Sequence, residues 1–165
     1  MLSIEARLAR LLDDISIEDT PMTAEAVQQE ADVRATIAAW AAAISARDAE
    51  RVVHHQSPEV AHASLAPPLR TIGSDRAGME AWFATWRTLS YRFDDYVLDC
   101  AGDLAFCHGI ARMAGTKTDG YEVDLSFRLT LGLHRHDGAW KIVHRHESVP
   151  FHMDGSFRAA VELTA

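Results

Sequence analysis

The feature that most constrains this chain is a change of period at Tyr91. Before it, apolar residues recur at helical spacing. After it, apolar and polar residues alternate, with turn signals at Ala101-Gly102-Asp103, Thr118-Asp119-Gly120 and Asp137-Gly138. The pattern predicts helices first and an antiparallel meander second. Elements segregated in this way do not build the right-handed βαβ crossovers of a parallel sheet. The expected class is therefore α+β, a curved, mostly antiparallel sheet wrapped over about three N-terminal helices.

The helical half can be divided further. Val33, Ile37, Trp40, Ala41 and Ile44 share one face of a long helix that starts near Thr23. Asp48 can cap a second, short helix through Val52 and Val53, because its carboxylate can accept from the free amides of the first turn; Ser57-Pro58 stops it. Val60 to Leu65 reads as a strand ended by Pro67-Pro68. Ser74 or Asp75 caps a third helix that buries Met79, Trp82, Phe83, Trp86 and Leu89 on one face. Ahead of all these, Leu2, Leu8, Leu11 and Leu12 predict a short amphipathic helix, linked to the rest by Asp19-Thr20-Pro21. The expected partition is an extension over 1–22, one domain over 23–155 and a tail over 156–165.

Composition narrows the function classes. A chain of 165 residues is the size of one domain and can bury roughly 70% of its extended surface. With 48% hydrophobic and 24% charged residues it lies outside the disordered class. Sixteen basic against 24 acidic residues give a net charge of −8, with no Lys/Arg-rich block to follow a phosphate backbone, so nucleic acid is not an expected partner. The longest uncharged helical run, Ala35 to Ala46, is short of the ~20 residues that span a bilayer, and charge from Glu5 onward interrupts any secretory signal. These features predict a soluble cytoplasmic chain with no membrane partner. Cys100 and Cys107 are too few for a disulfide framework and read as buried thiols.

Several segments together resemble the SnoaL-like and ketosteroid-isomerase-like branch of the nuclear transport factor two-like superfamily, with its cystatin-like α+β fold. They are the long helix with Trp40, the Ala46-Arg47-Asp48 turn, Pro67-Pro68, Gly73 to Trp86, Gly115-Thr116 with Asp119-Gly120, Phe127-Arg128-Leu129-Thr130, and Asp137-Gly138-Ala139-Trp140-Lys141 running into His144 to Phe151. The resemblance covers roughly Val33 to Phe151. It implies a cone of bent sheet closed by helices around a pocket, and a homodimer formed through the outer sheet face. Ketosteroid isomerase places a Tyr on the first helix, an Asp base on the first strand and a second acid on a late strand. Those positions fall here at Trp40, at or near His62, and near Gly132 or Leu131. Neither Trp40 nor the late residues can offer an acidic hydroxyl or carboxyl, so the steroid isomerase's own hydrogen-bonding pair is not reproduced.

Turn arithmetic then assigns faces. A two-residue turn at Asp137-Gly138 pairs Leu133 with Ile142, Leu131 with His144, Leu129 with His146 and Phe127 with Ser148. The opposite face takes Arg128 across from Glu147, an expected outer ion pair, and Thr130 across from Arg145. The same arithmetic at Asp119-Gly120 pairs Arg112 with Phe127 and His108 with Leu131, leaving His108 and His144 roughly 10 Å apart on the apolar face. A three-residue loop or a bulge shifts such a pairing by one and exchanges the faces.

On this register His62, His108, His144 and His146 are candidate acid–base residues, since imidazole gains and releases a proton near neutral pH. Trp40, Trp82, Trp86, Arg112, Phe127, Leu131 and Ser148 are the candidate ligand contacts. His54 and His55 read as surface residues. The expected function is cofactor-independent proton transfer of the isomerase, dehydratase or cyclase type on a small apolar or aromatic, oxygenated ring compound. Scytalone dehydratase, similar in fold, uses pocket histidines for such an elimination. A non-catalytic ligand-binding or dimerisation module is the main alternative. A zinc site on His144 and His146, completed by His108 or His62, is a minor one; the long cross-strand gap and the lack of a carboxylate on that face weigh against it.

Overall fold

The structure, a computed structural model, describes residues 23–164. The amphipathic helix expected near Leu2 to Leu12 lies outside the described residues. Helix α1 spans Ala24–Ser45, and Thr23 Oγ1 accepts from the Ala26 amide at its start. Its buried face is Val33, Ile37, Trp40, Ala41, Ala43 and Ile44, the predicted stripe with one alanine added. Each large apolar side chain on that face is worth roughly 1.5–3 kcal/mol of burial. Helix α2, Ala49–His54, is capped by Asp48, whose Oδ1 accepts from the Arg51 amide at 3.0 Å. Strand β1 follows at Gln56–Ala63 and a two-residue β2 at Thr71–Ile72.

Helix α3 covers Arg76–Ala84 with Asp75 as its cap. It is shorter than the sequence predicted. Thr85 ends it by donating its hydroxyl to the Trp82 carbonyl at 2.7 Å, while its own carbonyl accepts from the Thr118 amide at 3.0 Å and draws the chain into the sheet. Trp86 and Leu89 therefore sit on a strand. The long strands are β3 (Trp86–Ala101), β4 (Leu104–Lys117), β5 (Glu122–His136) and β6 (Ala139–Ser148). The sheet order is β2-β1-β6-β5-β4-β3, antiparallel except where β1 runs parallel to β6. Beyond β6, Phe151 bridges to Ala159 and the buried Ala160 donates to the Pro150 carbonyl, so the chain folds back after the last strand. Among the described residues no helix is long and apolar enough to cross a membrane.

Among the described residues the sheet has four register shifts, one in β1 between Gln56 and Ala61 and three that each lie close to a glycine on the facing strand and account for curvature of the long strands. Strand β3 shifts between Trp86 and Thr88, near Gly115, and again between Phe93 and Asp95, near Gly109. Strand β6 carries one extra residue, Val143, opposite the step from Gly132 to Leu133. Extra residues of this kind bend and twist a strand, and a missing side chain opposite lets the backbones approach. At Gly109 an added Cβ would run into the Asp95 carbonyl oxygen, and at Gly115 into that of Thr88. The bent sheet closes over α1, burying Leu129, Leu131, Leu133 and Ile142 against Trp40 and its neighbours.

Gly109→Ala should lower stability by about 2–4 kcal/mol in urea unfolding, because backbone rather than a side-chain tip blocks the new methyl. Glu122→Ala, exposed at the start of β5, should change it by less than about 0.5 kcal/mol.

Candidate functional site

A cavity of about 650 Å³ opens between the inner sheet face, α3 and the segment joining β1 to β2. Its apolar wall includes Ile44, Val60, Met79, Trp82, Met113 and Phe127. Against this wall lies a polar cluster drawn from three strands, consisting of His62, Tyr91, Arg145 and Glu147.

Strand pairing builds the cluster. In the parallel β1–β6 ladder His62 is the direct partner of Arg145. Arg145 and Glu147, two residues apart on β6, point to the same face. Tyr91 is held by the end of α1, where Ser45 Oγ contacts both its backbone amide and its carbonyl. Within the cluster Arg145 Nε donates to His62 Nε2 at 2.8 Å and stands 3.5 Å from Glu147 Oε1. Glu147 Oε2 is 3.6 Å from the same imidazole nitrogen, and Tyr91 donates its hydroxyl to Glu147 Oε1 at 3.0 Å. The Arg145 guanidinium carbon also lies 5.5 Å from the Trp40 ring centre, within cation–π range.

Arg145 and Glu147 are both buried. Burial by itself raises the Glu147 carboxyl, but Arg145, His62 and the Tyr91 hydroxyl together outweigh it and bring the group down to about 2. Tyr91 moves the other way, well above the ordinary phenol value, through burial and the neighbouring carboxylate. The two shifts agree on one state, a neutral phenol donating to an ionised carboxylate.

The predicted site residues divide between the two sheet faces. His62, Trp82 and Phe127 line the cavity. His108, His144 and His146 do not share the apolar face; all three are exposed on the outer one. Two causes combine. The β4–β5 connection is a three-residue loop, Thr118-Asp119-Gly120, with Gly120 at φ 92°, so Cys107 rather than His108 pairs with Leu131. On β6 the predicted register holds from Ala139 to Ile142, after which Val143 moves His144 opposite Gly132 and His146 opposite Thr130. The same two shifts carry Arg112 outward, where its Nε donates to Asp124 Oδ1 at 2.6 Å, and Ser148 opposite Arg128. They also replace the expected outer pair of Arg128 with Glu147, since Glu147 turns inward opposite Leu129.

Trp40 and Leu131 are fully buried in the core beneath the cavity, and Trp86 is buried behind Trp82, their ring centres 5.8 Å apart. Sequence reasoning missed Arg145, Glu147 and Tyr91 as cavity residues. Gly132, a lone glycine inside an apolar strand, was the available signal for an irregular pairing. Among the described residues no group of three or more His, Cys, Asp or Glu is placed to hold a metal ion.

A bent sheet closed by helices over a cavity with one polar wall defines a pocket-bearing α+β domain. Residues 33–152 match the profile of the SnoaL-like domain, and the chain belongs to that family. A search of curated proteins finds no match. Among solved structures, a nuclear transport factor 2-like protein of unknown function from Pseudomonas putida KT2440 is 23% identical, covers 84% of this chain and 98% of its own, and superposes with a TM-score of 0.75. A proposed scytalone dehydratase from Novosphingobium aromaticivorans DSM 12444 is 16% identical over 84% of this chain and 95% of its own, TM-score 0.71. A nuclear transport factor 2-like superfamily protein from Salmonella enterica serovar Typhimurium LT2 is 17% identical over 81% of this chain and 98% of its own, TM-score 0.65. At these identities the structures establish the fold that this chain shares.

The depressed Glu147 group ties stability to pH. A carboxyl brought down to about 2 in the folded state stabilises that state above its unfolded value near 4.5, and the contribution, on the order of a few kcal/mol, is lost as pH falls from there through about 2. Wild type should therefore lose more urea resistance between pH 5.5 and pH 2.5 than Glu147→Gln does. Equal losses in the two proteins would contradict this assignment.

Proposed function

We propose that the chain is a small-molecule enzyme that moves a proton on an apolar, oxygenated ring compound, in an isomerase- or dehydratase-type reaction, with His62 as the acid–base residue. The observation that carries this reading is the position of His62. It is on the cavity wall, its side chain 22% exposed, between a guanidinium and a carboxylate that share one of its ring nitrogens. The Novosphingobium structure named for a dehydratase shares the fold, which favours the reading.

Arg145 has only donors, so the neutral imidazole accepts at Nε2. To take a proton from a substrate His62 rotates Nε2 away from Arg145, and the Nε2–H formed can then return to Glu147 Oε2, 3.6 Å from that nitrogen in the resting geometry, which offsets the new positive charge. Release of that proton to a leaving hydroxyl restores the bond from Arg145. Glu147 stays ionised throughout, because Arg145 and Tyr91 hold it so, and it acts as a positioning residue. Tyr91 and Arg145 fix the carboxylate, while Trp82 and Phe127 on the cavity wall offer aromatic surface for an apolar ring.

The non-catalytic binding reading has one observation in its favour. Arg145 contacts both ring nitrogens of His62, with Nη2 3.3 Å from Nδ1, so the imidazole must rotate before it meets a substrate.

A bicyclic ketone such as tetralone in D₂O separates the two. Wild type should exchange the ketone's α-protons faster than buffer, followed by NMR, and His62→Ala should lower that rate about 10²–10⁴-fold while binding changes only a few-fold. Binding without exchange across a panel of ring ketones and alcohols would favour the binding module.

A further inference from the structure

An arginine in a ligand cavity ordinarily invites an anion, because its planar fork matches carboxylate and phosphate. Here the Nε–Nη2 edge of that fork faces His62, and its charge is countered by Glu147, both from within the protein. Arg145 lies against Glu147 and His62, and Glu147 takes a further hydrogen bond from Tyr91. The other feature of the wall that attracts anions is the N-terminus of α3, and it is occupied too. Asp75 Oδ1 accepts from the Gly78 amide at 2.8 Å, and both residues line the cavity. Among the described side chains lining the cavity, those charged with His62 neutral are Arg145, Glu147 and Asp75, a net −1. An incoming carboxylate would give up its water for an apolar wall, a cation already paired and two carboxylates of its own sign. An uncharged ring of the same shape meets none of these costs.

We propose that Glu147 is a specificity-determining residue, an internal anion that offsets the charge of Arg145 and restricts the cavity to uncharged ring compounds. The proposal rests on the reading of the cavity as a small-molecule site and names the charge class of ligand that the site takes. It does not require turnover, so it can fail while the acid–base role of His62 stands.

The test uses two probes of one shape, naphthamide and naphthoate, titrated calorimetrically into the full chain at pH 8. Wild type should bind the amide at least about tenfold more tightly than the carboxylate. In Glu147→Gln, which leaves Arg145 without its counter-charge, naphthoate should gain at least about tenfold relative to the amide, closing or reversing the preference. Equal binding of the two probes by wild type overturns the charge rule and leaves the pocket reading intact. An unchanged preference in folded Glu147→Gln overturns the role given to that residue. Binding of neither probe overturns the pocket reading and this proposal with it. The wild-type comparison needs no variant, so a Glu147→Gln chain that failed to fold would not shelter the proposal.

Discussion

Burying Arg145 beside Glu147 is the constraint on which the arrangement of this molecule turns. Each ion costs several kcal/mol to remove from water, and their mutual attraction compensates only when the remaining donors and lone pairs are also met. The fold meets them from four directions. Tyr91 comes from β3, His62 from β1, the Trp40 ring from α1, and β6 supplies the pair itself. Removing one partner would leave a buried charge uncompensated, which is far more destabilising than losing the pair as a whole. The cluster therefore also fixes how four elements sit around the cavity.

The inward placement of that pair depends on a single extra residue. Along β6 Trp140 and Ile142 face the core, and without Val143 the alternation would have continued through His144 and His146. With it, the inward positions pass to Arg145 and Glu147 and the imidazoles go to solvent. Gly132 opposes His144 beside this step, and a Cβ there would press on the His144 Cβ at 3.3 Å, tighter than ordinary contact. Sheet curvature and site chemistry thus share one cause, because the irregularity that bends β6 also chooses which residues face the pocket.

The sequence was informative where local chemistry decides the outcome. The Asp48 cap, the Val33-to-Ile44 stripe and the Asp137-Gly138 turn, with both residues at positive φ, follow from short-range rules and appear as expected. Face assignment along the strands is different, because it depends on the parity of every loop and bulge in between. Thr118-Asp119-Gly120 contains the same Asp-Gly signal as the last hairpin, yet it closes with three residues. The Asp119 side chain accepts from the Tyr121 amide, and Lys117 both donates to the Tyr121 carbonyl and accepts from Gly120. Nothing in the two Asp-Gly pairs themselves separates these outcomes. Arg145 and Glu147 also read as surface residues by type, and only their mutual satisfaction makes burial tolerable.

His62 kept its predicted position because it does not depend on those hairpins. Its strand is entered directly from α2, and Val60 and His62 alternate inward from a β1 that pairs with β6 through a parallel ladder. That ladder brings Arg145 to it. Residues set by helix entry are therefore more legible than residues set by successive hairpins, and this limits what resemblance in fold conveys. Two members of such a family can share helices, strand order and cavity while one inserted residue exchanges every side chain beyond it. Here the exchange replaced a face of three imidazoles by a paired guanidinium and carboxylate. The result is a wall that sets the His62 imidazole beside a buried, mutually compensated guanidinium and carboxylate, and that wall rather than the shared fold determines which chemistry the cavity can support.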